Sequence, residues 1–80
     1  MIRLTKHAIE AAERRGIAQR WIENTLRSPT RVMPDPTDPS LMRSFAPVPE
    51  CGGRILRVVH RMDSDDILII TAHFDRGAQP

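Results

Sequence analysis

A chain of 80 residues with a formal net charge of +2 holds one small domain, residues 1–80, and excludes a second core. Its composition, 40% apolar and 28% charged, argues against a disordered chain, and its longest apolar run, residues 67–70, is far too short for a bilayer span. No signal-peptide core opens the chain and one cysteine, Cys51, closes no internal disulfide, so the expectation is a cytoplasmic protein held by apolar packing alone.

In chain order, residues 1–5 alternate weakly, as a short edge strand or the lead-in to a helix. Thr5 is the expected N-cap of a helix over residues 6–15, with Leu4 and Ile9 at the spacing of a hydrophobic staple. Gly16 ends that helix, because glycine accepts the left-handed conformation that follows many helix ends. A second helix follows at once over residues 18–27. Ile17, Trp21, Ile22 and Leu26 form its apolar face, and Ser28-Pro29 stops it. So short a link makes a helical hairpin.

Residues 30–33 allow a short strand, after which Pro34, Pro36 and Pro39, interleaved with Asp35, Thr37 and Asp38, dictate a loop. Residues 40–46 alternate as a strand, and residues 47–53 read as a second loop. Residues 54–62 and 67–74 are the clearest strands, joined into an antiparallel hairpin by the turn Asp63-Ser64-Asp65-Asp66. The order (β)ααβββ describes an α+β domain, a two-helix hairpin on a three- to four-stranded antiparallel sheet.

Charge is uneven along this order. Residues 1–31 carry seven basic and three acidic side chains, residues 32–50 one and three, and residues 51–80 four and four. Of the 12 basic residues only Lys6 is lysine. Arginine's planar fork suits phosphate, although GC-rich codon usage produces the same bias.

His7 falls at position two of the first helix, beside free backbone N–H groups that attract anions, where it is available as an acceptor or general base. The plainer alternative is a histidine that packs and hydrogen-bonds locally. Arg14 lies four residues after Glu10 and pairs with it, whereas Arg15 has Ala11 and Ala12 at the matching positions and shares the ridge of His7. Capping the helix C-terminus or reaching a carboxylate elsewhere is the equal alternative for Arg15. Arg57, among Leu56, Val58 and Val59, needs a partner or a ligand. Thr71 and His73 share one face of the last strand. A three-residue turn pairs Arg57 with Thr71, a two- or four-residue turn with Ala72, and the sequence leaves this parity open. Arg76 adds a cation just beyond. No metal-ligand spacing, no glycine-rich phosphate loop and no cofactor motif is present.

At Thr5-Lys6-His7-Ala8, Arg15-Gly16-Ile17, Trp21-Ile22, Pro29, Arg57-Val58-Val59 and Ile70-Thr71-Ala72, the chain resembles a bacterial domain family of unknown function grouped with RelE/ParE-like and BrnT-like toxins. The resemblance implies a RelE-like fold and a type II toxin–antitoxin context, and it marks Thr5, His7, Arg15, Arg57 and Thr71. His73 and Arg76 join them by position and chemistry. RelE-like members cleave messenger RNA without a metal, often on the ribosome, while ParE-like members act on gyrase. Several RelE-like nucleases use a tyrosine near the C-terminus, and this chain has none.

The expectation is therefore a toxin-like, metal-independent endoribonuclease. His7, Arg15, Arg57, Thr71 and His73 form its catalytic set, Lys6, Arg14 and Arg76 bind RNA phosphates, and Thr5 is a structural cap. The alternatives are a non-catalytic RelE-like binding module and a ParE-like inhibitor of a protein target. An antitoxin, RNA or the ribosome, and a second copy of the chain are the candidate partners; no membrane, metal or cofactor is expected.

Overall fold

The computed structural model describes residues 1–77; of residues 76–80, which read in the sequence as a frayed tail, residues 78–80 lie outside the described residues. The first strand, β1, is Ile2–Leu4, and Thr5 follows in extended conformation as the N-cap of α1, Lys6–Arg15. The Thr5 hydroxyl accepts the Ala8 N–H at 3.0 Å, which satisfies one of the four donors a helix start leaves open. Gly16 ends α1 at φ 66° and ψ 34°, its N–H bonded to the carbonyls of Ala12 and Glu13. A side chain with a Cβ is strained at that φ. Ala18 is extended and α2, Gln19–Arg27, starts one residue later than expected.

Beyond the helices lie β2 (Arg31–Pro34), β3 (Met42–Val48), a 3₁₀ turn (Pro49–Cys51), β4 (Arg54–Asp63) and β5 (Asp66–Phe74). They form one five-stranded sheet in the order β1-β5-β4-β3-β2. This corrects the expected three or four antiparallel strands, because β1 adds to the edge and runs parallel to β5, with Ile2 opposite Ile67 and Leu4 opposite Ile69. Arg3 helps fix that edge, its guanidinium reaching both Asp63 and Asp66. Those carboxylates lie opposite each other at the end of the β4–β5 ladder, so the arginine offsets a like-charge repulsion.

Two further differences have local causes. The third strand runs on through Pro47, which the sequence reading assigns to a loop. Pro47 stands opposite Ile55, whose carbonyl turns the other way to accept the Asp75 N–H at 2.8 Å, and β2 has already ended at Phe45. No ladder bond is lost for want of a proline N–H. The β4–β5 turn is Ser64-Asp65, two residues rather than four, with Ser64 at φ 57°. Between Val59 and His60 the register then slips by one, and Arg57 comes to face His73 rather than either Thr71 or Ala72.

The core lies between helices and sheet. Ala8, Ala12, Ile17 and Ile22 meet Val48, Leu56, Val58, Ile69 and Ala72, with Trp21, Leu26 and Phe74 partly buried around them. Alanines on the buried side of α1 let its backbone approach β5 closely, and the Thr5 N–H reaches the Ile69 carbonyl at 3.1 Å. On the sheet face without helices, Phe45, Ile55 and Val59 are nonetheless buried, and the Arg31 guanidinium lies 4.9 Å from the Phe45 ring centre. An arginine lying over apolar surface accounts for the burial of Phe45. Among the described residues no helix is long and apolar enough to cross a membrane.

Ile22 has no exposed surface whereas Ile9 is 45% exposed. Ile22→Ala is expected to cost about 2–5 kcal/mol of unfolding free energy and Ile9→Ala about 1 kcal/mol or less, measured by urea denaturation.

Candidate functional site

The register slip sets up a polar cluster at the open end of the β4–β5 hairpin. Arg57 donates from Nη2 to His73 Nε2, and its Nη1 lies 3.2 Å from the Asp75 carboxylate. Arg57 Nε is buried with no hydrogen-bond partner among the described residues. A guanidinium only donates. His73 therefore presents a lone pair at Nε2 and carries its proton on Nδ1, the neutral imidazole. Burial favours that neutral form and pushes the His73 pKa down. The positive charges of Arg57, Arg15 and Arg43 push the same way, while Asp75 opposes them.

Next to this cluster is an open cleft of about 290 Å³ lined by Arg15, Arg54, His73, Phe74 and Arg76. Arg15 comes from the last turn of α1, Arg54 from the first residue of β4, and the others from the end of β5 and just past it. These ends converge because α1 starts beside Ile69 and runs along the rest of β5. The Arg54 guanidinium carbon sits 4.2 Å from the centre of the Phe74 ring. Phe74 in turn leans on Trp21, ring centres 6.5 Å apart and planes at 54°. Three cations beside a neutral imidazole give the cleft a chemistry that favours anions, and guanidinium suits phosphate in particular.

The residues singled out in the sequence divide by position. Arg15, His73 and Arg76 line the cleft, and Arg57 stands behind His73. Thr71 shares the open face with His73 two residues away, opposite Val59, without lining the cleft. His7 is exposed at the second position of α1, and Lys6 and Arg14 are exposed as well. Eight residues at the helical rise put about 12 Å between His7 and Arg15. The expected Glu10–Arg14 ion pair is not formed among the described residues, which accords with the few tenths of a kcal/mol such exposed pairs are worth. Arg57, read as lacking a local partner, has one in Asp75.

Arg54 and Asp75 escaped the sequence reading. Arg54 lies on the face of Leu56, hence diagonal to Phe74, a relation fixed only once the register is known. Two polar pairs elsewhere were also missed. Arg43 binds Asp35 at 3.0 Å, whose carboxyl is held below its ordinary pKa by the Asp38 N–H, then the Thr37 N–H, and also by Arg43. On the helix side, Ser44 Oγ meets His60 Nε2 at 2.7 Å, and burial pushes the His60 pKa down. Among the described residues no group of three or more His, Cys, Asp or Glu side chains is placed to hold a metal ion.

A second hollow of about 260 Å³ separates α2 from the end of β3, lined by Trp21, Thr25, Pro47, Pro49 and Glu50 among others and by no basic residue. The cationic groups gather at the other one. Fold and cleft together define a small α+β protein with an arginine-lined cleft at one end of its sheet. The family described as Domain of unknown function (DUF4258) matches residues 4–74, and the chain belongs to that family. No curated protein and no solved structure matches it.

Both half-buried histidines, His60 and His73, have folded-state pKa values below the ordinary 6.5. Below pH 6.5 the unfolded chain binds the extra protons first, so their contribution to stability is full above that pH and is lost as pH falls towards the folded values. Urea midpoints measured from about pH 7.5 to about pH 5 are expected to decline. His60→Gln removes part of that slope and leaves the part due to His73.

Proposed function

We propose that this protein binds single-stranded RNA in the arginine cleft and is a toxin-like, metal-independent endoribonuclease with a RelE-like fold. The observation that carries this reading is the convergence of Arg15, Arg54 and Arg76 on His73, with Arg57 held against its Nε2. In this reading a phosphate oxygen competes with His73 for Arg57, and the guanidinium turns to the phosphate. The imidazole so released takes the proton of the ribose 2′-hydroxyl. The 2′-oxygen bonds to phosphorus, the bond to the 5′-oxygen breaks, and that oxygen takes a proton back from the imidazolium or from water. The products are a 2′,3′-cyclic phosphate and a 5′-hydroxyl. Arginine donors around the phosphate stabilise the charge that develops on it.

Of the two histidines in the expected catalytic set, this reading gives the acid–base role to His73, since His7 is about 12 Å along the helix from Arg15. Thr71 positions the strand face, and Lys6 and Arg14 extend the basic surface of α1. An antitoxin segment of acidic character is the partner that complements the cleft.

One observation favours a non-catalytic binding module instead: the ties of Arg57 to both His73 and Asp75 are ones a purely structural role would use. The two readings part on a single comparison. With EDTA present, purified protein is expected to cut unstructured RNA or the messenger of translating ribosomes. His73→Ala is expected to lower the rate by about a hundredfold or more, with Tm shifted by only a few degrees. Intact RNA in both assays, together with harmless expression in bacteria, rejects the nuclease. Lowered melting without a rate effect favours the binding module.

A further inference from the structure

Arg54 lends the cleft its positive charge, but no step of the chemistry above uses the plane of its guanidinium. Its guanidinium rests over Phe74 at 4.2 Å, and Phe74 is backed by Trp21. No carboxylate among the described residues pairs with it. It is exposed, and it lines the same cleft as Arg15, His73 and Arg76. An arginine held against an aromatic ring has already lost some of its side-chain freedom. A guanidinium is planar, so it offers a flat group beside the other cations of the cleft. Guanidinium planes of this kind stack on unpaired nucleobases.

Building on the RNA reading above, we infer that Arg54 and Phe74 form a base-stacking subsite, so that the cleft takes an unpaired nucleotide with its phosphate on Arg15 and Arg76 and its base on the Arg54 plane. The ligand class is single-stranded RNA rather than duplex, because a paired base offers no free face. Stacking tolerates any base, so sequence preference at this position is weak. The chain has only three aromatic residues, Trp21, Phe45 and Phe74. Phe45 and Trp21 are taken up in packing, which leaves the arginine as the surface a base meets.

The subsite separates from the phosphate site by a probe that has charge and no base. Fluorescence anisotropy compares a labelled eight-nucleotide unstructured RNA with an abasic ribose-phosphate oligomer of the same length. Wild-type protein is expected to bind the RNA about tenfold more tightly than the abasic oligomer. Arg54→Lys keeps the charge and removes the plane, so it is expected to lose that preference while its affinity for the abasic oligomer stays unchanged. Its Tm, for an exposed side chain, should match wild type. An Arg54→Lys protein that keeps the full preference, or that weakens equally on both probes, overturns the subsite and leaves the phosphate reading standing. A wild-type protein that binds neither probe rejects the RNA reading, and the subsite with it.

Discussion

The β4–β5 ladder contains one residue more on β5 than on β4, and the facing of His73 and Phe74 in the cleft depends on it. From the turn to His60, which faces Ile69, the pairing follows one register; from Val59, which faces Thr71, it follows another, with Ile70 as the extra residue. Bulges of this kind bend a strand and sharpen its twist. Ile67 and Ile69 face the helices on one side of it, and Ala72 and Phe74 do so on the other. Without the extra residue the alternation would carry Thr71 and His73 inward against the alanines of α1 and turn Ala72 and Phe74 outward. Polar groups would then be desolvated without partners. The bulge lets both halves of β5 present an apolar side to the core, and it leaves Arg57 and His73 facing each other on the helix-free surface.

That constraint explains which features were legible in the sequence. The cap at Thr5, the break at Gly16 and the stop at Ser28-Pro29 are set by residues within a turn of one another, and each fell where local chemistry put it; the proline loop did so too except at Pro34, which closes β2 opposite Met42. The pairing of Arg57 depends on His73 and Asp75, 16 and 18 positions away. A bulge inside the run of four apolar residues 67–70 leaves no visible break in the alternation, since every residue there suits either face. The parallel addition of β1 is equally silent in a three-residue segment, because it depends on an edge of β5 that exists only after the hairpin has formed.

For the site, the sequence pointed to residue types and the fold decided the company they keep. Arg15, His73 and Arg76 converge because the end of α1 and the end of β5 lie at the same edge of the domain. His7 does not join them, since the ridge it shares with Arg15 runs along the helix and the two sit at opposite ends of it. Arg54 had no distinguishing neighbour in the sequence, and it acquires one only when Leu56 and Phe74 become partners.

The arginine excess takes on a double meaning in this structure. Guanidinium groups lie over Trp21, Phe45 and Phe74 from Arg20, Arg31 and Arg54, and Arg3, Arg27, Arg43 and Arg57 bind carboxylates. Lysine would serve the ion pairs at the surface nearly as well, but it has no plane to lay on a ring. Codon usage alone supplies arginine without choosing where it goes. Here the arginines that lack a carboxylate among the described residues include Arg15, Arg54 and Arg76, the three that share a cleft. Asp75, the carboxylate beside them in sequence, is engaged by Arg57. A net charge of +2 therefore understates the field at that end of the sheet, where cations stand close together and the counter-charge is already bound.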